Sequence, residues 1–215
     1  MSASGSDSNG MGNISEKLYV KYMVCRRDKL LVQSELDKFD LKYRMSDHGA
    51  LVFLEDISPG QQKQLKKKLA KAGLVLLDEA ESLVIDRIIA TIVEVIHNSG
   101  RLPKLSFADI ISEHSDLRNE SVLKIFSDVK GMSVIQFIVL QKIERAKELL
   151  LYEDRSLSEI TDILNYKNQH YLVAQLKKYT GLTPGYFKEL KRERMKVSSQ
   201  SSNRSVLEKS NGKED

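Results

Sequence analysis

The residues with the widest chemical repertoire in this 215-residue chain are one cysteine and four histidines. His48, His97, His114 and His170 show neither HxxxH nor HExxH spacing, so no pair shares a helix face as zinc ligands would. Cys25 alone forms no intrachain disulfide and falls short of a thiolate zinc or iron–sulfur site. Neither a G-x-x-x-x-G-K-[ST] phosphate loop nor a G-x-S-x-G elbow occurs. These absences argue against an enzyme and against a bound cofactor. A different chemistry is offered by Asn168, Gln169, His170 and Tyr171, followed by Gln175, Lys177 and Lys178. Amide side chains make paired hydrogen bonds to adenine, and lysine reaches guanine or a phosphate.

The charge distribution singles out the same stretch. The formal net charge is only +4, but residues 167–197 carry eight Lys/Arg against two Asp/Glu. Residues 1–100 are neutral and residues 101–166 are slightly acidic. A local cationic surface of this kind suits a polyanion. Lys188 and Arg192 extend it beyond Lys177 and Lys178.

Such residues need rigid elements. After the turn-rich run His97-Asn98-Ser99-Gly100-Arg101-Leu102-Pro103, the chain reads as helices near 106–114, 119–128, 133–152, 158–164, 168–179 and 184–196. Two units of short helix, tight turn and short helix are joined by a longer one. Each begins Leu-Ser (Leu105-Ser106, Leu157-Ser158), and each ends Gly-(Leu/Met)-(Ser/Thr) (Gly131-Met132-Ser133, Gly181-Leu182-Thr183), an internal duplication. A glycine just past the last helical residue fits a left-handed C-cap. In the second unit Ile160, Ile163, Leu164, Leu172 and Leu176 form the apolar face. The arrangement is that of a helix-turn-helix, whose second helix can lie in the major groove of duplex DNA.

The run Lys142-Ile143-Glu144-Arg145-Ala146-Lys147-Glu148-Leu149-Leu150, then Leu157-Ser158-Glu159-Ile160, then Gly181-Leu182-Thr183-Pro184 with Tyr186 and Phe187, resembles the AraC/XylS family of transcription regulators over residues 105–193. The resemblance implies two helix-turn-helix units entering successive major-groove segments. By position it implies base readers Glu120, Ser121 and Lys124 in the first unit, and Gln169, His170 and Tyr171 in the second. The sequence departs from the family pattern in places. Asn165 stands for the usual turn glycine, Thr161 for a small alanine and Leu176 for a core phenylalanine. Ala174 and Leu123 occupy positions where polar readers are common. The acidic Asp116, Glu120 and Asp128 make the first unit the weaker phosphate binder.

The N-terminal half reads β-α-β-β-α-β, the split βαβ arrangement of ferredoxin-like domains. Strands fall at Leu18–Val24, Leu41–Met45, Ala50–Leu54 and Leu74–Leu77. Asp47-His48-Gly49 turns a hairpin, and Ser58-Pro59-Gly60 starts the second helix with Ser as N-cap. Five lysines between Lys63 and Lys71 surround Leu65 and Leu69, as on an amphipathic helix whose ammonium groups stay in water. This half resembles heavy-metal-associated domains, which place Met-x-Cys-x-x-Cys after the first strand. Here Met23-Val24-Cys25-Arg26-Arg27-Asp28 has aspartate for the second cysteine. One thiolate beside a hard carboxylate suits a soft metal poorly, so a degenerate, metal-free domain is expected and Cys25 is only a weak metal candidate.

The expected fold class is therefore α+β. It comprises a ferredoxin-like domain at 14–78, a connecting helix at 79–100 and an all-α domain with two helix-turn-helix units at 101–197. Residues 1–13 and 198–215 have the Ser/Asn/Gly-rich composition of disordered tails. Along the connecting helix, Val84, Ile85, Ile88, Ile89, Ile92, Val93, Val95 and Ile96 cover more than one narrow stripe. That implies a second partner, either the following domain or the same helix (Ala80–His97) of a second subunit, and a homodimer would form through this helix or the N-terminal domain. The longest apolar stretch, Leu83–Ile96, is interrupted by charges and too short for the roughly 20 residues of a membrane crossing. With no signal peptide at the N-terminus, a reducing cytoplasm is expected. These features describe a cytoplasmic, sequence-specific bacterial regulator that binds double-stranded DNA. The alternatives are a metal sensor using Cys25 and an adaptor that keeps the fold without reading DNA.

Overall fold

Two helix starts in the N-terminal half satisfy a first-turn amide locally, Ser58 accepting from Gln61 and Asp78 from Glu81. A computed structural model describes residues 16–46, 48–98, 100–102, 120–153 and 155–211, with side chains as far as residue 200. Two compact units emerge: Met1–Ile89 with His114–Val134, and Ala90–Glu113 with Ile135–Asp215. The division falls within the connecting helix rather than at residues 97–103. The protein is mostly helical, with a small N-terminal sheet and a helical C-terminal half.

The first unit runs β1 (Lys17–Leu18), β2 (Val20–Lys21), α1 (Arg26–Asp37), β3 (Tyr43–Met45), β4 (Leu51–Phe53), α2 (Pro59–Lys71), β5 (Val75–Leu76) and the first half of α3 (Glu79–Asn98). It closes with α4 (Glu120–Lys130). All pairings are antiparallel: β1 and β3 flank β4, and β2 pairs with β5. The expected first strand is thus split at Tyr19. Its amide turns away to the Ser82 hydroxyl of α3, at 3.1 Å, while its carbonyl accepts the Leu77 amide. The hairpin turns as expected, with Gly49 at φ +83°. At α2, Ser58 Oγ accepts the Gln61 amide at 3.2 Å and Gln61 Oε1 accepts the Ser58 amide at 3.0 Å. This reciprocal cap satisfies two orphan donors.

Leu18, Val20, Val32, Leu36, Phe53, Leu65 and Leu69 form the core between sheet and helices. Tyr19 is fully buried, and its hydroxyl donates to Asp86 of α3 at 3.0 Å. Lys17 pairs with the same carboxylate. Burial and this adjacent carboxylate push the Tyr19 hydroxyl pKa well up.

The second unit contains the rest of α3, then α5 (Val134–Tyr152), α6 (Leu157–Ile163), α7 (Gln169–Thr180) and α8 (Pro184–Asn211). The helix predicted at 106–114 lies outside the described residues. Helix α8 runs on to Asn211, where composition predicts a tail from residue 198. It continues because nothing stops it: Lys196 pairs with Glu193 one turn back, and the Ser199 hydroxyl returns to the Met195 carbonyl. Along α3 the stripe Ile85, Ile88, Ile89, Ile92 and Ile96 is buried within the chain, while Val84, Val93 and Val95 are half-buried and Leu83 is exposed. Its C-terminal end is tied to α5 by His97, whose Nδ1 meets Glu148 at 3.2 Å and whose Nε2 meets Gln141 at 3.3 Å. No described helix is long and apolar enough to cross a membrane.

Candidate nucleic-acid interface

The second unit's two short helices are fixed by caps at both ends. At α6, Ser156 Oγ accepts the Glu159 amide at 3.2 Å and Glu159 returns the contact to the Ser156 amide at 2.8 Å. These bonds, first among several causes, hold the Glu159 carboxyl below its ordinary pKa. The turn then passes through Asn165 at φ +48°, the left-handed conformation that asparagine tolerates. The Tyr166 amide closes back on the Thr161 carbonyl at 2.9 Å. Helix α7 starts at Asn168, whose Oδ1 accepts the Tyr171 amide at 2.8 Å. It ends at Gly181, φ +75°, with the Gly181 amide on the Lys177 carbonyl.

Burial orients this unit. Ile160, Leu164, Leu172 and Leu176 are buried, and Leu176 fills the place of the family's phenylalanine without exposure. Thr161, which replaces the small alanine, is also buried and sends its hydroxyl to the Leu157 carbonyl at 2.7 Å. On the opposite side Gln169, His170, Tyr171, Ala174, Lys177 and Lys178 are exposed. With 3.6 residues per turn, His170, Ala174 and Lys177 stack along one line of the helix, and Tyr171 and Lys178 along the next. The exposed face therefore carries both hydrogen-bonding and cationic groups, with Ala174 as a gap in its middle. Lys177 and Lys188 pair with no carboxylate among the described residues, while Arg192 is held by Glu189 at 2.6 Å.

Two features escaped the sequence reading. Tyr166 packs its ring 6.0 Å from that of Tyr171, and the Lys142 ammonium of α5 lies 5.3 Å from the Tyr166 ring centre. Burial lowers the Lys142 pKa and raises that of Tyr166. An aromatic support thus stands directly behind a predicted reader. Arg155 and Lys191 join Lys188 and Arg192 around a cleft of about 380 Å³ between the start of α6 and α8. Lys191 was visible in the charge excess, but Arg155 lies outside the counted stretch.

In the first unit Glu120, Ser121 and Lys124 are exposed on α4, and Lys124 pairs with Asp128 at 3.4 Å. Phe126 and Val129 are buried. Cys25 is exposed at the start of α1. Asp28, which stands where the metal pattern has its second cysteine, accepts the Cys25 and Val24 amides at 2.9 and 3.1 Å. Hydrogen bonds from Cys25 lower the Asp28 pKa, so the carboxylate serves as a helix cap. Among the described residues no three His, Cys, Asp or Glu side chains converge as a metal site would require.

Residues 111–189 match the helix-turn-helix domain family. The matched segment takes in α4 to α7 and the start of α8, within the stretch that resembles AraC/XylS regulators in sequence. Among curated proteins, the bifunctional transcriptional activator/DNA repair enzyme AdaA of Bacillus subtilis is 24% identical over 107 residues, 42% of this chain and 51% of AdaA. The uncharacterized transcriptional regulatory protein YesN of the same organism is 29% identical over 130 residues, 56% of this chain and 34% of YesN. The chain thus spans about half of the first relative and about a third of the second. Among solved structures, the C-terminal domain of AraT, a response regulator from Geobacillus stearothermophilus, is 21% identical with a TM-score of 0.43, covering 50% of this chain and 84% of that one. The DNA-binding domain of the global transcriptional factor AdpA, solved with target DNA, is 17% identical with a TM-score of 0.43, covering 51% and 94%.

Proposed function

We propose that this protein is a sequence-specific DNA-binding transcription regulator whose two reading helices are α4 and α7. The observation that carries the reading is the outer face of α7, a capped helix that buries Leu172 and Leu176 while exposing Gln169, His170, Tyr171, Lys177 and Lys178. The helix-turn-helix match over 111–189 supports it, as do the words "transcriptional activator" and "transcriptional regulatory protein" in the names of AdaA and YesN. In this reading Gln169, His170 and Tyr171 contact base edges, and Tyr166 backs the Tyr171 ring. Lys177, Lys178, Lys188 and Arg192 contact phosphates, with Asn168 fixing the first turn of the helix. Glu120, Ser121 and Lys124 form the corresponding set on α4. The antiparallel pairings β3-β4-β1 and β2-β5 support a ferredoxin-like N-terminal domain, and the capping role of Asp28 supports a domain that holds no metal.

Selection from a random duplex pool, followed by titration of the full chain, tests the reading. Lys177→Ala with Lys178→Ala weakens binding to all duplexes alike and lowers the salt slope by about 2, one for each ammonium removed from a phosphate. Gln169→Ala or His170→Ala instead relaxes preference at one or two base pairs, each worth about 1–3 kcal/mol. Recovery of no enriched sequence by the wild-type chain at low salt would refute the proposal.

A further inference from the structure

Helix α4 exposes its three predicted readers along its first half and is anchored at its last turn. An α-helix leaves its last carbonyls without intrahelical donors. Here the Asp128 carbonyl accepts the amide of Tyr22, just past β2, at 2.7 Å. Lys130 reaches the backbone carbonyl of His48, in the loop between β3 and β4, at 2.6 Å. Gly131, at φ +65°, sits so close to Val24 that a Cβ there would lie 2.9 Å from Val24 Cγ1. Tyr22 itself holds φ +68°, a conformation that a bulky residue keeps only where its surroundings impose it. Two backbone groups and one side chain of the N-terminal domain therefore converge on the last turn of a helix more than eighty residues away in sequence.

We infer that the N-terminal domain is part of the reading apparatus. The Tyr22–Val24 segment and the β3–β4 loop act, with Lys130, as positioning elements that fix the angle at which α4 presents Glu120, Ser121 and Lys124. This inference rests on the DNA-reading role proposed above. Lys130 suits the task electrostatically, since a cation is favoured at the negative end of a helix dipole. Burial, with Lys29 nearby, lowers its pKa to about 8, so the ammonium is held in place against a solvation cost. The lever is long: the helix has 11 residues, and at 1.5 Å each Glu120 and Ser121 lie about 14–15 Å and Lys124 about 9 Å from the anchor at Lys130. A tilt of about 10° at the anchor moves the reading end by roughly 3 Å, far beyond hydrogen-bond tolerance.

The test uses the full chain, the duplex recovered by selection from a random pool, and two variants. Lys130→Met removes the donor to His48, and Lys130→Arg keeps one. Amide exchange at Tyr22 and in the last turn of α4, measured without DNA, reads the anchor. Footprinting and titration on the selected duplex read the two half-sites separately. Lys130→Met is expected to speed that exchange about tenfold and to weaken the first half-site about tenfold, leaving the second unchanged, while Lys130→Arg restores both. Unchanged exchange overturns the anchor, and faster exchange with an unaltered first half-site overturns its role in reading. Equal loss at both half-sites also overturns it, because that marks general destabilisation. If the wild-type chain selects no duplex, the DNA-reading proposal falls and the positioning role falls with it, while the exchange measurement still decides whether the anchor exists.

Discussion

Gly131 and Gly181 occupy equivalent places in the duplicated motif, yet replacing each with alanine is expected to have unequal consequences. Both follow a helix with positive φ, +65° and +75°. Both donate their amides to a carbonyl four residues back, each at 2.9 Å. A left-handed L-residue costs about 1–2 kcal/mol relative to glycine. At Gly181 nothing lies within 4 Å of the added Cβ, so Gly181→Ala should cost that amount and no more. At Gly131 the Cβ would meet Val24 Cγ1 at 2.9 Å and Val24 Cβ at 3.3 Å. Rotating a stiff β-branched side chain moves the first atom but not the second. Overpacking of this kind adds about 1–3 kcal/mol, so Gly131→Ala should cost roughly 2–5 kcal/mol. Val24→Ala in the same chain removes Cγ1 and should return the cost of Gly131→Ala towards that of Gly181→Ala, a coupling of about 1 kcal/mol or more. Because the chain has two compact units, one global transition does not report either site. Local amide exchange in α4 and α7 does. Equal costs at the two glycines, or no relief from Val24→Ala, would refute the contact between the N-terminal segment and α4.

Two further outcomes follow from burial and titration. Leu176→Ala empties a fully buried position and should destabilise the second unit by about 2–5 kcal/mol, seen as loss of exchange protection in α7 while β4 is unaffected. For Lys130, the folded pKa of about 8 lies below the ordinary lysine value. Between those two values the unfolded chain holds a proton that the folded one has lost, so stability rises with pH across that window and is level below it. The rise is a fraction of the about 1.4 kcal/mol per pH unit that one full proton gives, and local amide exchange in α4, corrected for the intrinsic exchange rate and followed from pH 7 to pH 10, should show it in the wild type but not in Lys130→Met.

Local signals were legible wherever one residue satisfies a neighbour. Ser58 with Gln61, the turn at Gly49, the left-handed Asn165 and the glycine after each second helix all act within a few residues. The polar outer face of α7 was legible for the same reason, because helical spacing alone separates it from Leu172 and Leu176. What the sequence hid were the long-range partners. Nothing local to Tyr19 announces that its amide leaves the sheet for Ser82, and this single bond splits the expected first strand in two. The apolar spacing of α3 was legible, but only packing separates the buried Ile88, Ile92 and Ile96 from the half-buried Val84, Val93 and Val95.

The same reasoning explains why the turn-rich run at 97–103 is a poor guide to how the molecule divides. Turn residues mark where a helix ends, whereas compact units are set by which faces cover one another. The Asp128 carbonyl, the Lys130 ammonium and Gly131 find partners at Tyr22, His48 and Val24, all before the turn. Had α4 packed only on residues after the turn, Gly131 would have needed its positive φ but not its lack of a side chain, as at Gly181. The crowding at one glycine and the open space at the other distinguish two repeats that the sequence writes almost identically. They place Val24 of the N-terminal half against the last turn of α4, the contact on which the proposed positioning of that helix depends.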